Sequence, residues 1–110
     1  MQELRTEYVA SLPQKVILIG EHLEQQDWIV LRDDFHKLKG TGRTYGLPII
    51  TELGEVIEKI CLSQIQDAPQ AVPKALDLLL KVFQHYSQDP NAPPPDWKNE
   101  ITELRAFLNS

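Results

Sequence analysis

The stretch Trp28-Ile29-Val30-Leu31-Arg32-Asp33-Asp34-Phe35-His36-Lys37-Leu38-Lys39-Gly40-Thr41-Gly42-Arg43-Thr44-Tyr45 decides the fold. Its apolar or small residues fall at Trp28, Leu31, Phe35, Leu38, Gly42 and Tyr45. Alternating steps of three and four residues put all six on one stripe of a helix packed in a bundle. Asp27, just before the stripe, suits a helix N-cap. Gly46 reads as a left-handed C-terminal cap, and Leu47-Pro48 starts the next helix at once. Working outward, the same spacing recurs at Ile50, Leu53, Ile57 and Ile60, with Ile49 and Val56 widening the stripe. It recurs at Leu76, Leu79, Phe83 and Tyr86, flanked by Val72, Ala75 and Val82. Upstream lie Leu12, Val16, Ile19 and Leu23, after a start signal of Ser11 and Pro13; at the end come Trp97, Ile101, Leu104 and Leu108, after a cap at Asp96. Gln66-Asp67-Ala68-Pro69 reads as a break, and Pro90-Asn91-Ala92-Pro93-Pro94-Pro95 as a stiff extended connector.

These signals predict helices near residues 2–10, 12–26, 28–45, 48–65, 73–87 and 96–108. No polar/apolar alternation and no Asn-Gly or Asp-Gly turn argues for a strand. Short connections make sequence neighbours antiparallel. The expected class is all-α: an antiparallel four-helix bundle core over about 12–87, with accessory N- and C-terminal helices, in a single domain of 1–110.

Composition narrows the function. The 110 residues carry 11 Lys and Arg against 16 Asp and Glu, a net charge of −5. An acidic chain is a poor partner for a phosphate backbone, so nucleic acid is not expected. The longest aliphatic run, Val16-Ile17-Leu18-Ile19, is far short of the ~20 residues that span a bilayer, and the N-terminus lacks a secretory apolar core. The single cysteine, Cys61, allows no intrachain disulfide; beside Ile60 on an apolar face it is expected to be a core thiol. A small cytoplasmic domain is expected.

The solvent face of the 28–45 helix carries the chemistry. On a helical wheel His36 lies roughly 130° from the centre of the apolar seam and points outward. Gly40 is one turn further, Arg43 shares the face, Arg32 and Lys39 flank it, and Ile29 adds an apolar residue. An exposed helical histidine is usually only solvated, and outer Lys and Arg usually serve solubility. The glycines resist such a reading, because each costs about 1 kcal/mol against alanine inside a helix. Gly42 lies on the seam, where close helix approach accounts for it. Gly40 lies on the outer face, where it suggests close approach by something bulky.

At these residues the chain resembles a known family. His36-Lys37-Leu38-Lys39-Gly40-Thr41-Gly42-Arg43-Thr44-Tyr45-Gly46-Leu47 is similar to the signature of histidine-containing phosphotransfer domains: His-x-Leu-Lys-Gly-Ser/Thr, with a later glycine at the helix end. Asp27-Trp28 at the helix start, Leu53, and the Ile57-Glu58 pair on the following helix also resemble it. The likeness covers roughly residues 3–87. Phe35 stands where many members have a small residue, and Gly42 replaces a common Ala or Ser; neither removes a residue the chemistry needs.

The resemblance implies a phosphorelay intermediate without autonomous kinase activity. His36 would accept a phosphoryl group from a receiver-domain aspartate and pass it to another receiver. A free imidazole titrates near 6.5, so near neutral pH much of it is an uncharged nucleophile. Lys39 would compensate phosphate charge, since phosphoryl transfer asks mainly for positioning and charge neutralisation. Ile29, Arg32, Gly40 and Arg43 would meet the partner. Partners implied are response-regulator receiver domains and a hybrid sensor histidine kinase. No cofactor is expected in this chain, with Mg²⁺ supplied by the receiver, and the protein is expected to be a monomer. Two rivals are weaker. A carboxylate-bridged metal bundle needs repeated Glu-x-x-His, whereas Asp33-x-x-His36 occurs once and neither His22 nor His85 has an acidic residue three positions earlier. A helical interaction module without phosphotransfer would not require His36, Lys39 and Gly40 together.

Overall fold

The computed structural model describes residues 2–109, and among them six α-helices and no strand. They are α1 (Gln2–Ala10), α2 (Leu12–Glu24), α3 (Trp28–Thr44), α4 (Pro48–Ser63), α5 (Ala68–Gln88) and α6 (Lys98–Ala106), with single 3-10 turns at Ile65–Asp67 and Phe107–Asn109. Helix α3 packs on α4, α4 on α5, α5 on α2, and α2 on α3, closing a ring of four. The short connections turn each helix back on its predecessor, giving the antiparallel bundle. Helix α1 lies mainly against α5, and α6 against α4 and α5.

The core is made by the stripes. Leu31, Phe35, Leu38, Leu53, Ile57, Ile60, Leu79 and Val82 are buried, and among the described residues no polar or charged side chain is. Each such large apolar group contributes about 1.5–3 kcal/mol by leaving water. Ile101 and Leu104 bury the inner face of α6. Cys61 is buried too, and burial pushes its thiol pKa up to about 11.

The α3–α4 junction sets the site. Asp27 caps α3 by accepting from the Val30 amide at 3.3 Å. At the other end Gly46 takes φ +68°, the Leu47 amide donates to the Gly42 carbonyl at 2.8 Å, and the Gly46 amide donates to Arg43. This is a Schellman-type close. Two glycines then let the helices approach backbone to backbone: a Cβ on Gly42 would lie 2.6 Å from the Thr51 amide nitrogen, and one on Gly54 would lie 2.7 Å from the Lys39 amide nitrogen. Helix α1 seals this end of α3. The Tyr8 ring stacks on Tyr45 with centroids 4.5 Å apart, the Tyr8 and Thr41 hydroxyls are hydrogen-bonded at 2.6 Å, and Arg5 Nη2 donates to the Gly46 carbonyl at 3.2 Å. Burial raises the Tyr8 phenol pKa, and the bond to Thr41 only partly offsets it.

Several boundaries differ from the sequence expectation. Helix α5 begins at Ala68, not 73, and runs through Pro73. Pro69 sits in the first turn, where a missing N–H costs nothing, and Pro73 forfeits one bond. Burial of Ala68, Ala71, Val72 and Ala75 on one face holds this segment helical. Helix α4 ends at Ser63 and α2 at Glu24, each one turn or less before the expected end. Ser11 is not a cap: its hydroxyl donates back to the Tyr8 carbonyl. Asp96 does accept from the Lys98 amide at 2.9 Å, although α6 proper starts at Lys98. The proline connector is pinned by His85, whose Nε2 donates to the Pro93 carbonyl at 2.8 Å.

Candidate functional site

The site forms where α3 and α4 run closest. Gly54 admits α4 to the backbone of α3 at Phe35 and Lys39. Glu58 is one turn beyond Gly54 on the same face of α4. The close approach therefore delivers the Glu58 carboxylate to two α3 side chains. His36 Nδ1 lies 2.5 Å from Glu58 Oε2, and Lys39 Nζ donates to Glu58 Oε1 at 3.0 Å. An ionised carboxylate only accepts, so Nδ1 of His36 is the donor. Its other nitrogen, Nε2, takes no hydrogen-bond partner among the described residues.

Electrostatics agree with this arrangement. Partial burial alone would raise the Glu58 carboxyl pKa; the hydrogen bonds from Lys39 and His36, with their charges, hold it below the usual carboxylate range. Glu58 is thus an anion that fixes one ring nitrogen of His36 and gathers a cation beside it.

Exposure distinguishes the three histidines. The His36 side chain is 61% exposed. His22 is 19% exposed, with Nδ1 bonded to Asp34 Oδ2 at 2.6 Å, and this pair ties α2 to α3. His85 is half-buried, edge-on to Tyr86 and Trp97, with Nε2 committed to Pro93. Only His36 combines an open position with a free ring nitrogen among the described residues.

The other residues singled out in the sequence fall as follows. Lys39 is 29% exposed and held by Glu58, rather than standing free in solvent, because it lies at the α3–α4 contact that Gly54 allows. Gly40 is exposed, and a Cβ there would meet nothing within 4 Å, so no internal packing calls for glycine. Ile29, Arg32 and Arg43 are exposed along the same side of α3, and none of them hydrogen-bonds to His36. Thr41 instead joins α3 to α1 through Tyr8. Glu58 was visible in the sequence only as part of a family-like pair. The signal for its place in the site is Gly54, four residues earlier, whose meaning depends on the helix register.

Among the described residues no group of His, Cys, Asp and Glu is arranged to hold a metal ion, and no helix is long and apolar enough to cross a membrane.

The helical bundle thus presents a solvent-facing histidine backed by a carboxylate and a lysine. The model of the Hpt domain family matches residues 3–107, nearly the whole chain, and the chain belongs to that family. Membership assigns it to histidine phosphotransfer in two-component phosphorelays, with response-regulator receiver domains as the interacting class. No curated protein and no solved structure matches it significantly.

Proposed function

We propose that this chain is a phosphorelay intermediate in which Nε2 of His36 takes a phosphoryl group from a receiver-domain aspartate and yields it to a second receiver. The observation that carries the reading is the pairing of an exposed His36 with Glu58: Nδ1 holds its proton against the carboxylate at 2.5 Å, which leaves the Nε2 lone pair facing outward. In the forward step this lone pair attacks phosphorus in line. The N–P bond forms as the P–O bond to the aspartate breaks, and the aspartate carboxylate departs with the electron pair. The ring gains positive charge as it attacks. Glu58, already ionised and hydrogen-bonded to Nδ1, meets that charge without reorganising. Running the same steps in reverse hands the group to the next aspartate.

Lys39 is close enough, through their common carboxylate, to turn one of its donors toward the phosphoryl oxygens. Mg²⁺ belongs to the partner in this scheme: Glu58, the carboxylate that meets His36, is already engaged by Lys39 as well. The chain is then a phosphocarrier and not a kinase, acting as a monomer between a hybrid sensor histidine kinase and a receiver in the cytoplasm. Incubation with a phosphorylated receiver tests this. Acid-labile, base-stable label on the chain supports the reading; its absence, or label that stays in His36→Gln, refutes it.

A further inference from the structure

A cleft of about 490 Å³ lies away from His36, between α4, α6 and the proline connector. Its shape follows from the helix directions. The pairs Lys74–Glu103 and Lys81–Glu100 set α6 antiparallel to α5, and α4 is antiparallel to α5 as well. Helices α4 and α6 therefore run parallel, with both N-termini at one end. Lys98, Ile101 and Arg105 fall on one stripe of α6 and form one wall. Ile49 and Glu52 face them from α4, with Tyr86 and Trp97 between. On the α4 wheel Glu52 lies about 120° and Ile49 about 180° from Glu58, so this site and the histidine occupy different sides of the helix.

The apolar part of the cleft suits a flat ring. Tyr86, Ile49 and Ile101 are buried side chains that still line it, and Trp97 is half-buried beside them. The polar part favours an acceptor of positive charge. Lys98 and Arg105 line the cleft and make no ion pair among the described residues, unlike Lys74 and Lys81. Neither helix that starts here has a side-chain cap from its N-cap residue, and α4 has no acidic residue in its first turn. Both positive dipole ends are thus left open to an anion. Glu100, in the first turn of α6, is drawn to Lys81 instead. The Asp96 carboxylate is committed to the Lys98 amide. Glu52 is the carboxylate that opposes an anion. The indole N–H of Trp97 is buried with no acceptor, so donors outnumber acceptors at this end of the fold.

We propose that this cleft binds a small planar aromatic carboxylate, its ring against Tyr86 and Trp97 and its carboxylate on Arg105 and Lys98. Arg105 can meet both carboxylate oxygens through its planar fork. The aromatic walls take the ring at the offset or edge-on geometry such pairs prefer. A ligand there bridges α4, α5 and α6, and so holds α6 to the bundle. Two exposed, long ion pairs otherwise tie the outer face of α6 to α5.

The test titrates the full chain with 2-naphthoate and, separately, with its uncharged isostere 2-naphthamide. Binding is followed by NMR through the assigned indole N–H resonances of Trp97 and Trp28. A ligand of this size should bind 2-naphthoate with a Kd of about 1 mM or tighter. The shift should saturate at Trp97 and spare Trp28, and 2-naphthamide should bind at least fivefold more weakly. Arg105→Gln should weaken 2-naphthoate about fivefold, whereas Glu52→Gln should tighten it about twofold, since one change removes a partner and the other a repulsion. Both residues are exposed, so both variants should fold, as circular dichroism checks. Hydrogen exchange of the α6 amides should slow when the cleft is filled. Phosphoramidate donates its phosphoryl group to imidazole and releases ammonia; it should label His36 equally fast with or without 2-naphthoate. No saturable shift at Trp97, equal affinity for the amide, or unchanged binding by Arg105→Gln would overturn the proposal. Weaker binding by Glu52→Gln would overturn the choice of an anion in favour of a ligand carrying an ammonium group. Failure of phosphoramidate to label wild type would count against His36 as phosphoacceptor and leave the cleft untouched.

Discussion

Replacing glycine by alanine at positions 40 and 54 should have opposite effects, and the structure gives the sizes. Both glycines lie inside helices, so alanine gains each about 1 kcal/mol of helix propensity. At Gly40 the new methyl meets nothing within 4 Å, and this gain should appear nearly whole. At Gly54 it would lie 2.7 Å from the Lys39 amide nitrogen and 2.8 Å from the Phe35 carbonyl oxygen. Those are backbone atoms that no rotamer change can move, so α4 must shift by several tenths of an ångström or more. Overpacking costs about 1–3 kcal/mol, and a clash under 3 Å with backbone atoms belongs in the upper part of that range, about 2–3 kcal/mol, which exceeds the propensity gain. The expected result is Gly40→Ala more stable by about 0.5–1 kcal/mol and Gly54→Ala less stable by about 1–2 kcal/mol. For a chain of this length that is a Tm several degrees above wild type in one case and several below in the other, at about 4 °C per kcal/mol. Urea and thermal unfolding followed by circular dichroism at 222 nm measure both. The shift of α4 should also draw Glu58 away from His36, so phosphoramidate labelling of Gly54→Ala should slow. A Gly54→Ala protein as stable as wild type would refute the claim that a backbone contact positions the site.

Other consequences are as concrete. Glu58 has a lowered pKa in the folded protein. The folded state therefore binds fewer protons than the unfolded one as pH falls through the carboxylate range, and the stabilisation from Glu58, present above its unfolded pKa, is lost below its folded one. Wild type should exceed Glu58→Gln in urea midpoint at pH 7, and the gap should close by about pH 3; a gap that widens in acid would contradict the assignment. Lys39→Ala should unfold within about 1 kcal/mol of wild type, since the partly exposed pair with Glu58 is worth little, yet transfer from a receiver should slow at least tenfold. With its thiol pKa pushed up to about 11 and its side chain buried, Cys61 should resist iodoacetamide at pH 8 until the protein is unfolded, as mass spectrometry would show. Gly40→Leu should preserve the fold and slow transfer from a receiver but not from phosphoramidate.

What the sequence disclosed and what it hid divide along the range of the interactions. The α3 seam, the Asp27 cap and the Gly46 close depend on residues within a turn or two of each other, and spacing alone reveals them. So does the outward direction of His36, a matter of helical phase. The first turns of α5 were hidden because Gln66-Asp67-Ala68-Pro69 read as a break and Pro73 as the helix start, whereas tertiary burial of Ala68, Ala71 and Val72 settles that segment. Ser11 looked like a cap by residue type, but the chain passes from α1 into α2 with almost no break, and its hydroxyl turns back to Tyr8. Glu58 was hardest to place. It lies 22 residues from His36 in the chain, and only the α3–α4 register, fixed by Gly42 and Gly54, brings the two together. The same register holds Lys39 against Glu58, where the wheel of α3 alone suggested a free cation.

The central claim is that the phosphoryl group resides on His36, and His36→Gln tests it most directly. The glutamine amide can still donate to Glu58 and the side chain stays on an open face, so unfolding free energy should change by no more than about 1 kcal/mol. Wild type and variant are each incubated with the same phosphorylated receiver, and the label is then located by tandem mass spectrometry under alkaline conditions. The account predicts acid-labile phosphate on His36 in wild type and none on the folded His36→Gln protein, with His22 and His85 unlabelled in both. Phosphate retained by the variant at another histidine, or wild-type label found anywhere but His36, would contradict it.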